Sequence, residues 1–148
     1  MRDPTPAIRG EVMEKSINIE WIVHAIISQH YFGRVRIDFV SQILFDEYCS
    51  FALKRRVLTK ICPELQGAVE QQLNRINAIR NLFAHVGQRV SDSLEVTAEE
   101  RIPSPRDFAK SIDFDALHKE FLVLEASLLT SLVATFKKKG GVLQPRTD

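Results

Sequence analysis

The sequence predicts an all-α chain: a compact bundle of about four to five helices with one long loop before the last. Three observations predict it. Apolar residues recur at helical spacing along most of the 148 residues. Pro6, Gly33, Pro63 and Gly87 fall where helices are expected to start or stop. Only one short piece, Ser93-Leu94-Glu95-Val96-Thr97, alternates as a strand does. The length suits a single domain with a real core. The expected organisation is one domain over residues 1–148, with its core at about 6–136, a long polar loop at 88–111 and a polar tail at 137–148.

The first helix is expected from Pro6 to about His30. Thr5 is a good N-cap, Pro6 suits the first helical position, and Gly33 is a natural stop. Ile8, Val12, Ile19, Ile22, Val23 and Ile26 form its apolar stripe, with Trp21 beside it. Asp38 is expected to cap a second helix holding Val40, Ile43, Leu44 and Tyr48. Ser50 starts a third, carrying Phe51, Leu53, Val57, Leu58 and Ile61, and Cys62-Pro63 ends it because residues before proline avoid the helical region. Pro63 then opens a fourth helix, with Leu65, Val69, Leu73, Ile76 and Phe83 on one face and Val86-Gly87 at its end. Residues 88–111 contain Pro103 and Pro105 and are expected to be a loop, with room for a small hairpin. Ser111 or Asp113 caps the last helix, which runs to about Phe136 on Phe114, Leu117, Phe121, Leu124, Leu128 and Leu132. Leu122, Leu129 and Val133 add apolar surface on its other side, which a dimer contact would cover. Lys137-Lys138-Lys139 suits the negative end of that helix.

Composition narrows the function classes. Hydrophobic residues make up 45% and charged residues 26%, an ordinary globular balance, and the net charge is +1. Bulk charge gives no argument for nucleic acid, so only a local basic patch can supply one. Cys49 and Cys62 lack metal or redox spacing and fit reduced cytosolic thiols. The polar start, Met1-Arg2-Asp3-Pro4, opens no signal peptide, and no apolar run approaches the ~18 residues of a membrane span. A cytoplasmic location without a membrane partner is the expectation. No His/Cys/Asp/Glu cluster has zinc spacing, and Gly33, Gly87 and Gly140-Gly141 form no phosphate loop. Neither metal nor cofactor is expected. His24, His30 and His118 are expected as surface or packing histidines.

The chemically richest stretch is Arg80-Asn81-Leu82-Phe83-Ala84-His85, at the end of the fourth helix. Arginine offers a planar fork of donors to phosphate, and histidine moves protons near neutral pH. Arg80, Asn81 and His85 are therefore the candidate catalytic residues for phosphodiester chemistry. At ~100° per residue, Asn81 and His85 lie ~40° apart but Arg80 and His85 ~140° apart. A straight helix does not aim all three at one atom. Either the helix breaks and His85 turns, or two chains bring their motifs together. A purely structural set of roles also stands: Arg80 pairing a carboxylate, Asn81 bonding the backbone, His85 capping the helix end. Lys54, Arg55, Arg56, Lys60 and Arg75 are the candidate RNA-binding cations, and exposed helix charge is the competing reading.

The spacing of Arg80-Asn81, three residues, then His85 resembles the signature of the HEPN superfamily, small all-helical domains of which many cleave RNA. The stretch Ser50-Phe51-Ala52-Leu53-Lys54 through Val57-Leu58-Thr59-Lys60-Ile61 resembles a second block of that superfamily, and the layout covers about residues 8–136. The wording Arg-Asn-Leu-Phe-Ala-His looks closest to the mannitol operon repressor family. HEPN toxins paired with a nucleotidyltransferase antitoxin carry a tyrosine two residues after the histidine, where this chain has Gly87. The resemblance implies a homodimer with facing motifs, a metal-independent endoribonuclease acting on RNA, and an antitoxin or regulatory protein as a further partner. The mannitol-repressor likeness implies instead a non-catalytic helical regulator or interaction module.

Overall fold

The structure is a computed structural model and describes residues 3–86 and 112–143. All regular structure among them is helical. Gly87, the expected loop and hairpin at 88–111, and the end of the tail lie outside the described residues.

Helix α1, Pro6–Phe32, is the axis of the bundle and packs against each of the other long helices. Thr5 Oγ1 accepts the Ile8 N–H at 3.3 Å. At the other end Gly33 takes φ 68° and donates its N–H to the Gln29 carbonyl at 2.9 Å, closing the helix in a conformation that side chains disfavour. Val12, Ile19, Val23, Ile26 and Ile27 are buried.

The second element differs from expectation. Asp38 does not cap a long helix. A single α turn, α2 (Ile37–Phe39), runs into a π turn, Val40–Leu44. Ser28 explains the earlier start: its hydroxyl accepts the Arg36 N–H at 2.8 Å and donates to the Arg34 carbonyl at 2.9 Å. The chain is thus turned back onto α1 before Asp38, whose carboxylate instead receives the Arg36 guanidinium at 2.6 and 3.2 Å. Phe45 N–H reaches Val40 O at 2.9 Å, the wide spacing of a π turn, with Val40 and Leu44 buried beneath. Tyr48 lies in the following turn, not on a helix.

Helix α3 is Phe51–Ile61, with Ser50 Oγ accepting the Leu53 N–H at 3.2 Å. It stops at Cys62-Pro63 as the sequence predicts. Pro63, however, opens a separate 3-10 turn, Pro63–Leu65, and not the fourth helix. Gly67, at φ 91°, separates that turn from α4, which runs Ala68–His85. Leu65 reaches the core from the turn. On α4, Leu73, Ile76, Ile79 and Phe83 are buried.

Helix α5, Phe114–Lys138, begins at Asp113, whose Oδ1 accepts the Ala116 N–H at 3.0 Å. Phe114, Phe121, Leu128, Leu132 and Phe136 face α1 and α4, and Phe114 stands edge-on to Phe83 with ring centres 5.2 Å apart. Past the helix, Lys139 Nζ donates to the Ile61 carbonyl at 3.2 Å and lies 2.9 Å from His30 Nδ1. This third lysine of the run ties α5 to α1 and α3. No helix among the described residues is long and apolar enough to cross a membrane.

Candidate functional site

The Arg80–Asn81–His85 motif occupies the last turns of α4. Phe83, fully buried between them and braced by Phe114, fixes the rotation of this end of the helix. The helix remains regular through His85, and Val86 continues in helical geometry at φ −57° and ψ −38°. No break before His85 swings its ring towards Arg80. Asn81 and His85 are exposed, whereas Arg80 is half-buried on a different side of the helix. The ~140° between Arg80 and His85 therefore stands. Among the described residues, the Arg80 guanidinium and the Asn81 carboxamide make no hydrogen bond or ion pair.

Asn81 and His85 extend a longer polar stripe. Asn74 lies on the same line of the helix surface, within ~20° of each, and Asn77 borders it. Arg55 of α3 donates to the Asn74 side-chain oxygen and so touches this stripe from the neighbouring helix. Asparagine is a poor helix former. Three of them at positions 74, 77 and 81 on a helical face were a signal in the sequence that the motif alone did not use.

The five candidate RNA-binding cations do not form one surface. Arg56 and Lys60 are exposed, one turn apart on α3. Arg75 is exposed but engaged: Nε and Nη2 donate to the two Glu120 carboxylate oxygens at 2.6 and 2.9 Å. That bond lowers the Glu120 pKa and raises that of Arg75. Lys54 is only 4% exposed, and its ammonium donates to Glu20 Oε1 at 2.5 Å. It is a core ion pair, not a groove cation.

Lys54 belongs to a cluster that sequence reasoning missed. His24, expected on the surface or in packing, is completely buried beside it, with Nε2 3.8 Å from Glu20 Oε1. Burial pushes the imidazole pKa down from 6.5 to about 4, Lys54 adds to the effect, and Glu20 opposes it. One signal was available: Glu20 and His24 lie four apart, on one side of a helix whose stripe is otherwise apolar. The remaining histidines are less enclosed, and His118 Nε2 lies 3.0 Å from Glu11 Oε2. Cys62 is buried, which raises its thiol pKa, and Cys49 is half-buried. Among the described residues no His, Cys, Asp and Glu side chains gather in threes as a metal site would need. On α5, Leu129, Thr130, Val133, Ala134 and Lys137 line a shallow, largely apolar groove.

Comparison of the chain with protein-family models, curated proteins and solved structures finds no match.

Proposed function

We propose that this chain is a HEPN-like, metal-independent endoribonuclease that works as a homodimer. The observation that carries the reading is the state of α4's end. An exposed histidine and asparagine share one stripe there, and a half-buried arginine has no carboxylate partner among the described residues. A half-buried guanidinium without a carboxylate partner has its donors available to an anion. In the reaction, the ribose 2′-hydroxyl attacks the adjacent phosphorus and the bond to the 5′-oxygen breaks. His85 serves the proton transfers, as imidazole accepting from the 2′-hydroxyl and as imidazolium returning a proton to the 5′-oxygen. Arg80 stabilises the charge developing on the phosphoryl oxygens, and Asn81 orients the phosphate. Because Arg80 and His85 diverge on a regular helix, the reading requires two motifs meeting across a dimer axis. Arg56 and Lys60 are the cations left to track the RNA backbone.

The test is incubation of purified protein with mixed RNA in EDTA. Wild type is expected to cleave and His85→Ala to lose about 10²–10⁴-fold of the rate. Equal cleavage by both, or by neither, counts against the nuclease. Light scattering at micromolar concentration should give a dimeric mass, and a strictly monomeric mass removes the composite site.

A second reading has its own support. Lys54 and Arg75 are both taken up in intramolecular pairs, which thins the electropositive surface an RNA backbone requires. A non-catalytic helical module resembling the mannitol operon repressor family, with a regulatory protein or antitoxin as partner, needs no such surface. In that case the substitutions at Arg80, Asn81 and His85 lower thermal stability or partner binding without touching an activity.

A further inference from the structure

The cluster beneath Phe45 has no part in the proposed reaction. Glu20 and His24 sit one turn apart on α1, and Lys54 meets them from α3. Lys54 and Glu20 share a 2.5 Å hydrogen bond with side-chain exposures of 4% and 16%. His24 is enclosed further still, and neither ring nitrogen has a hydrogen-bond partner. Buried polar atoms are rarely left so, because they lose water and gain nothing. One side of the enclosure is a single ring. Phe45 stands edge-on to the imidazole at 4.4 Å, lies 5.5 Å from Trp21, and has the Lys54 ammonium 5.6 Å from its centre.

Phe45 is also the weakest wall. It begins the turn Phe45–Cys49 between the π turn and α3, exposed up to Tyr48 and half-buried at Cys49. Within the turn, Tyr48 N–H bonds Asp46 Oδ1 at 2.9 Å and Cys49 N–H bonds the Asp46 carbonyl at 3.0 Å, while the Phe45 and Asp46 N–H groups bond back to the Val40 and Ile43 carbonyls at 2.9 and 3.3 Å. Val40 and Leu44 are buried just before it, so the π turn stays anchored when the turn beyond it moves. Glu20 and Lys54 are the charged groups acting on His24, and the turn contributes only its aromatic ring. A proton on His24 would set a second cation beside Lys54, with one carboxylate between them and no water in reach.

We propose that the Phe45–Cys49 turn is a lid closed over Glu20, Lys54 and a neutral His24, and that a proton on His24 opens it. Water then reaches the imidazolium, and the rings of Trp21 and Phe45, 39% and 40% exposed with the turn closed, separate from each other. The lid is independent of the nuclease reading, since none of its residues belongs to the α4 motif.

Trp21, the chain's one tryptophan, reports the event directly, with its ring centre 6.4 Å from that of His24. Its fluorescence and the far-UV circular dichroism are followed together from pH 7 to 3.5. The emission should change in a step centred nearer 4 than 6.5 while the helical signal holds. His24→Phe should remove the step. Emission and helicity falling together, or a step that survives His24→Phe because Glu20 causes it, overturns the lid. Phe45→Ala opens the enclosure by substitution. It should raise the His24 midpoint, read from its imidazole proton resonance, by about one unit or more. An unchanged midpoint overturns the proposal, and this measurement decides the matter if His24→Phe does not fold.

Discussion

Two polar groupings each contain a histidine and a basic side chain, and they meet opposite fates. At the α1–α3 seam, Lys54, Glu20 and His24 satisfy or exclude one another inside the core, where even the ring nitrogens of His24 are cut off from water. At the end of α4, Arg80, Asn81 and His85 stand at the edge of the core with Asn81 and His85 exposed. A lysine or histidine in the first place is bound to the fold, and its charge state is a question of stability. In the second place the histidine reaches the surface. Residue type alone does not separate the two; burial does.

The largest loss is expected at Phe83, which underlies the exposed motif but belongs to the core. Phe83→Ala should destabilise the chain by about 3–5 kcal/mol. Denaturant melts check this, and a loss below about 1 kcal/mol would mean that the motif is not anchored through this ring. Next comes Lys54→Ala. It leaves the Glu20 carboxylate largely buried without its cation and should cost about 3 kcal/mol. Arg80→Ala and His85→Ala should stay within about 1 kcal/mol in the same melts. If Lys54→Ala is as mild as His85→Ala, the distinction between the two groupings fails.

Stability should also depend on pH through His24. The folded-state pKa of His24 is depressed to about 4 from 6.5, so the unfolded chain takes up the proton first. Stability should therefore fall as pH drops through 6.5 towards 4, by up to roughly 3 kcal/mol at about 1.4 kcal/mol per unit. Opening of the Phe45 lid would limit the loss to the cost of opening. Melts of wild type and His24→Phe across this range give the difference, and parallel curves would show that His24 is not the group responsible. The smallest effect is expected at Arg75. Its pair with Glu120 is two-pronged but solvent-exposed, so Arg75→Ala should cost no more than about 1 kcal/mol, less in high salt.

The helical class, the Thr5, Ser50 and Asp113 caps, the Gly33 stop and the break at Cys62-Pro63 were all legible in the sequence, because each is a local property of a few consecutive residues. The core faces of α4 and α5 were legible too, since helical periodicity fixes which residues share a side. The divergence of Arg80 from His85 followed from the same arithmetic, and α4 keeps it by staying regular to His85. Tertiary structure decided the rest. Ser28, on another helix, moved the start of the second element and left a π turn where a longer helix was expected. Gly67 detached Pro63–Leu65 from α4. The five candidate cations looked alike as a list, yet Lys54 was drawn into the core by Glu20 and Arg75 was held by Glu120, while Arg56 and Lys60 remained exposed. Those partners lie 34 and 45 residues away along the chain. Periodicity says which way a side chain faces on its own helix. Only the packing of one helix on another says what it meets there, and for a charged group that meeting decides between structure and function.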